Sequence, residues 1–76
     1  MNAKLGPDNL QSALDKQAEY TFSLFQEGRT RESEGIYTSL IKKGTNNHLT
    51  YGNLGIIYGI EGRWQELIAI LENHSS

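Results

Sequence analysis

Cysteine is absent from the sequence, and proline, methionine and tryptophan occur once each. Without thiols, the chain can form neither disulfides nor thiolate metal centres. The single proline, Pro7, leaves everything downstream free of the strongest helix breaker. No run approaches the roughly 18 apolar residues that a membrane-crossing helix needs. Neither sign of charge dominates: seven Lys and Arg stand against nine Asp and Glu, a net charge of -2. That balance argues against nucleic acid or an anionic membrane surface as the main partner. The opening Met-Asn-Ala-Lys-Leu-Gly-Pro lacks the apolar core of a secretion signal, so a cytoplasmic location is expected. Seventy-six residues with 37% hydrophobic content make one small domain. A chain of this size buries only about 60% of its unfolded surface.

What the sequence does contain is an internal period. Glu27-Gly28-Arg29 returns as Glu61-Gly62-Arg63, an offset of 34. Glu32 and Glu66 match at the same offset, and so do Ile36 and Ile70. Self-similarity at a fixed period in this range marks a repeat architecture and outranks local readings of secondary structure.

The chain reads as four helices. Residues 1–6 are a loose tail, and Pro7 stands where a helix start tolerates it. Asp8 and Gln11, three apart, fit a cap with its reciprocal partner. Leu10, Leu14, Ala18, Phe22 and Phe25 recur at spacings of three and four, as one helical stripe requires, with Tyr20 and Leu24 on another side. Gly28 stops this helix, and Thr30 is a candidate cap for the next, followed by the acidic Glu32 and Glu34. Ile36, Tyr37, Leu40 and Ile41 form the second buried stripe, and Lys42 and Lys43 complement the dipole at its end. Gly44 to Asn47 is a turn. Asn47 can cap a third helix that runs to about Ile60 and is stopped by Gly62. Trp64 opens a fourth, with Leu67, Ile68, Ile70 and Leu71, which the polar Glu72-Asn73-His74-Ser75-Ser76 should cut short.

The two hairpins resemble tetratricopeptide repeats, a helix–turn–helix unit of 34 residues. The resemblance covers about residues 14–47 and 48–76. In the second repeat Tyr51, Leu54-Gly55, Tyr58, Gly62 and Trp64 stand in the family's pattern positions. Gln17, Tyr20, Thr21, Leu24 and Gly28 hold the corresponding places in the first. Two positions depart: Leu67 replaces the small residue that Ser33 supplies in repeat one, and Thr45 replaces the closing proline. The resemblance implies an all-α fold of two stacked antiparallel hairpins over residues 7–76, and protein–protein interaction as the function.

Catalysis requires placed acids, bases or nucleophiles. His48 and His74 stand alone at element ends, and the recurring glutamates read as turn and surface charges. The glycines come singly, so there is no phosphate-binding loop. No enzyme activity, cofactor or metal is expected.

Helical spacing leaves one side uncommitted. Tyr51, Leu54, Gly55 and Tyr58 cluster on one side of the third helix; Leu49, Asn53, Ile56 and Ile60 cluster on the other. On the first helix Asp15, Glu19, Phe22 and Gln26 hold the equivalent side, with Phe25 nearby. Phe22, Phe25, Leu49, Asn53, Ile56 and Ile60 are therefore the expected contact set for a peptide or protein segment on the concave surface. Tetratricopeptide domains that grip a terminal carboxylate use several basic and amide residues; only Asn53 corresponds here, so apolar contacts should dominate.

Repeat arrays usually need about three units with polar ends. This chain has two, and Leu67 and Ile68 lie on its last helix. The expectation is a piece of a longer array, or a short form that self-associates as a homodimer.

Overall fold

The computed structural model describes residues 7–75. The tail expected over residues 1–6, and the cap expected of the Asp8 side chain, lie outside what is described. The fold is all-α. Helix α1 spans Pro7–Gln26, α2 Thr30–Lys42, α3 His48–Ile60 and α4 Trp64–Ser75. Helices α1 and α2 form one antiparallel hairpin and α3 and α4 the second; α3 lies against both α1 and α2.

The period of 34 is visible in the backbone. Glycines Gly28, Gly44 and Gly62 end the first three helices with φ of 87°, 92° and 70°. That left-handed conformation is strained for any residue with a Cβ. Around Gly28, its own N–H donates to Phe25 O and that of Arg29 donates to Leu24 O. Around Gly62, its N–H donates to Gly59 O and that of Arg63 to Tyr58 O. Both turns are Schellman closures that satisfy the last carbonyls of the helix, and their partners stand 34 residues apart.

Capping differs between the starts of α2 and α3. The Asn47 side chain accepts from Leu49 N–H at 2.8 Å, as expected. Thr30 does not cap α2: it is the first helical residue, Arg29 holds the cap position, and no side chain bonds there. The acidic first turn is what remains to offset the dipole. Helix α4 is not cut short; it runs 12 residues, through Glu72, Asn73 and His74 to Ser75.

Gln11, expected to cap α1, reaches across instead. Its amide donates to Gly44 O and accepts from Asn46 N–H, both at 3.0 Å. One side chain of α1 thus ties the first turns of that helix to the α2–α3 turn.

The core is Leu14, Ala18, Tyr37, Leu40, Leu54, Ile57 and Tyr58, with Phe25, Ile36, Ile41, Leu67 and Ile70 packed at its edge. The stripe expected on α1 is shifted: Leu14 and Ala18 are buried, together with Thr21 and Leu24, whereas Leu10 and Phe22 are exposed. On α3 the buried set is Thr50, Leu54, Ile57 and Tyr58. Thr50 and Ile57 join it because α3 is covered by α2 as well as by α4, which widens its buried arc.

The departure at Leu67 has a local explanation. In the first hairpin Ser33 Oγ lies 3.4 Å from Thr21 O, a close helix–helix approach between two small residues. The equivalent pair 34 residues on is Gly55 and Leu67. A Cβ on Gly55 would lie 3.3 Å from Leu67 Cδ1. The larger side chain on α4 is accommodated because the facing residue on α3 has none.

Candidate functional site

A groove of about 180 Å³ runs between α1 and α3, lined by Ala18, Glu19, Phe22, Asn47, Leu49 and Asn53. It forms because α1 and α3 lie side by side while each turns its core stripe toward a second helix. Three of the six expected contact residues, Phe22, Leu49 and Asn53, line it directly. Ile56 and Ile60 continue the Leu49–Asn53 stripe along α3 at helical spacing. Leu49, Ile56 and Ile60 are 68%, 50% and 73% exposed. Three large aliphatic side chains on one exposed stripe form the kind of apolar cluster that marks an interaction surface.

Phe25 is placed differently. It is partly buried and packs against the core, with its ring 6.5 Å from that of Phe22 and tilted by 42°. It braces Phe22 from behind rather than lining the groove.

The polar rim is largely committed to the fold. Asp15 Oδ1 accepts from Asn47 Nδ2 at 2.8 Å, tying the middle of α1 to the start of α3. Asn53 Nδ2 donates to Tyr37 Oη at 3.1 Å. Burial of Tyr37 pushes its phenol above the ordinary range, opposed by the Asn53 bond. Glu19 lines the groove, whereas Gln26 is exposed beyond it. Ala18 and Asn47 were missed from sequence. Asn47 reads only as a helix cap, yet its amide group serves both the cap and the rim.

The electrostatic centre of the molecule lies elsewhere. Arg63 bonds Glu34 of α2, Glu61 of the α3–α4 turn and Glu66 of α4, and its guanidinium sits 4.8 Å above the Tyr58 ring. These carboxylates raise the Arg63 pKa further, with Glu66 the largest influence. Arg63 in turn holds the Glu34 and Glu66 carboxyls below the usual glutamate value. Arg29 repeats the local part with Glu32 and Glu27. The glutamates expected to be plain surface charges are thus partners of the two repeat arginines.

His48 and His74 are not isolated. His48 Nδ1 and His74 Nε2 lie 2.6 Å apart, and the Tyr51 ring stacks on His74 at 4.5 Å. Among the described residues, no group of three or more His, Cys, Asp or Glu side chains is arranged to hold a metal ion. Among them, too, no helix is long and apolar enough to cross a membrane. No protein-family model, curated protein or solved structure matches the chain.

Proposed function

We propose that the chain is a tetratricopeptide-like interaction module that receives an apolar segment of a cytoplasmic protein or peptide along the α1–α3 face. The observation that carries this reading is the groove itself, with the exposed Leu49, Ile56 and Ile60 stripe running out of it. At about 180 Å³ it is smaller than the roughly 300–1,000 Å³ typical of small-molecule sites, and it suits one or two side chains of an extended partner. Fully burying a large aliphatic side chain contributes about 1.5–3 kcal/mol, so a few such contacts support modest affinity. The site works by binding and carries no reaction, cofactor or nucleic acid.

The test is selection from a random peptide library on the immobilised chain, followed by calorimetry of the selected peptides. Ile56→Asp and Leu49→Asp should abolish binding while helical content is unchanged. Glu19→Lys should alter affinity only slightly. Asp15 is unsuitable for this comparison because it holds Asn47. Peptides that bind equally well to Ile56→Asp would eliminate the reading.

A second reading, self-association as part of an assembly, is favoured by one observation. Trp64, Ile68 and Leu71 are exposed on α4, on a different surface from the groove.

A further inference from the structure

The α4 surface has an internal reference, because the same surface of α2 is seen in its covered state. Stepping 34 positions from Glu34 and Tyr37 reaches Ile68 and Leu71. On α2, Glu34 is bonded by Arg63 and Tyr37 by Asn53, both from the second hairpin. Tyr37 is 0% exposed; its counterpart Leu71 is 52% exposed, and Ile68 is 54% exposed. The polar half of the joint has been replaced by apolar residues. With Trp64 they stand at i, i+4 and i+7, one stripe of a single helix.

The occupant of this stripe follows from what the other end of the molecule offers. In a head-to-tail stack, α1 of one copy would take the place of α3 on α4 of another. Lys16 would then fall where Thr50 is fully buried, Glu19 would face Leu71, and Arg29 would face Ile68. The Lys16 and Glu19 charges would be pressed on apolar or buried positions. Arg29, already held by Glu32 and Glu27, would meet Ile68 where Arg63 meets a carboxylate. The contact thus costs desolvation without the ion pair that joins α2 to the second hairpin. An α4 stripe laid on a second α4 instead sets the exposed apolar Trp64, Ile68 and Leu71 against their own copies.

We infer that Trp64, Ile68 and Leu71 form the interface of a twofold homodimer, in which α4 packs antiparallel on α4 of a second copy about an axis near Ile68. Such an interface is isologous and closes on itself. The inference rests on the self-association reading above and is independent of the groove. A helix of 12 residues is about 18 Å long, so the interface is small and association should be weak, in the micromolar to millimolar range.

Sedimentation equilibrium of the full chain over a wide concentration range tests this. The mass should climb toward twice the 8.5 kDa of one chain and stop there. Ile68→Asp should raise the concentration needed for dimerisation by at least about tenfold, with helical circular dichroism unchanged. Because the chain has no cysteine, Ile68→Cys offers a clean second measurement. Near the axis, two copies should oxidise readily to a covalent dimer. A monomer at every concentration, self-association indifferent to Ile68→Asp, or mass growing past the dimer would overturn the inference. Loss of the dimer on Ile56→Asp but not on Ile68→Asp would also overturn it. That outcome would move self-association to the groove and leave the broader reading standing.

Discussion

Arg63 grips Glu34 with two nitrogens, at 2.8 and 2.7 Å, across the joint between the two hairpins. This is a fork-to-fork pair, the geometry in which arginine outperforms lysine. Glu34 is partly shielded, and its partner also spans Glu61 and Glu66. Arg29, one period earlier, makes only the local half of the network at a more exposed site.

Arg63→Ala should therefore lower the urea midpoint of unfolding, because it leaves the partly buried Glu34 carboxylate with only the exposed Arg31, at 3.2 Å on the same helix, as counter-ion. Arg29→Ala should stay close to wild type, as exposed pairs do. Arg63→Lys should recover only part of the loss. Comparable effects of Arg63→Ala and Arg29→Ala would show that the inter-hairpin contact adds nothing.

The same network sets an acid dependence. Arg63 depresses the Glu34 and Glu66 carboxyls, and Arg29 depresses Glu32, in each case chiefly by hydrogen bonding. Depressed carboxyls bind fewer protons in the folded than in the unfolded chain, so their stabilisation is full above the ordinary glutamate value of 4.5. It is lost as pH falls from that value through the lower folded values. Unfolding free energy should be flat above this window and should fall within it. Glu34→Gln should start lower at neutral pH and show a shallower acid slope. An identical slope in that variant would assign the acid sensitivity to other groups.

Much of the backbone was legible in the sequence because turns are local. Gly28, Gly62, Asn47 and Pro7 act through their own φ angles or one neighbouring N–H, so spacing alone places them. Part of the groove's lining was legible for a related reason. Helical spacing puts Leu49 and Asn53 on the side of α3 that corresponds, one period on, to the side of α1 carrying Phe22. These three line the groove, whereas Ile56 and Ile60 do not. What escaped is what depends on a third element. Thr50 and Ile57 are buried on a helix that packs against α2 as well as α4, and Gln11 is drawn off its own helix by a turn 33 residues away. His48 and His74 are 26 residues apart and meet only once α4 continues into residues that read as a terminus. Glu34 reads as a first-turn acid because Arg63 is invisible from its neighbourhood.

Helix α3 carries Gly52, Gly55 and Gly59 within 13 residues, which weakens it intrinsically. A Cβ at Gly52 or Gly59 would meet nothing within 4 Å, whereas one at Gly55 would crowd Leu67. Gly52→Ala and Gly59→Ala should each stabilise the chain by about 0.5–1 kcal/mol, read from thermal or urea unfolding. Gly55→Ala should gain less, and in a Leu67→Ala background it should regain the full increment. Equal gains at all three positions would mean that the Gly55–Leu67 approach is not a packing constraint.

The imidazole pair closes the free end of the second hairpin. At 2.6 Å, one nitrogen of His48 and His74 must carry the proton and the other must accept it. With Tyr51 stacked on His74, this contact fastens the last turn of α4 to the first turn of α3. Both imidazoles are exposed, so the net contribution should be near about 1 kcal/mol. It should also be local, since terminal turns open without global unfolding. His74→Ala should therefore speed amide hydrogen exchange in the final turn of α4 by roughly fivefold, while α1 and α2 keep their protection. His48→Ala should act in the same direction but less, because the Tyr51 stack on His74 survives it. The double variant should be no worse than His74→Ala alone, because both substitutions remove the same bond. Additive effects of the two substitutions, or unaltered exchange in α4, would show that the rings meet without holding the helix.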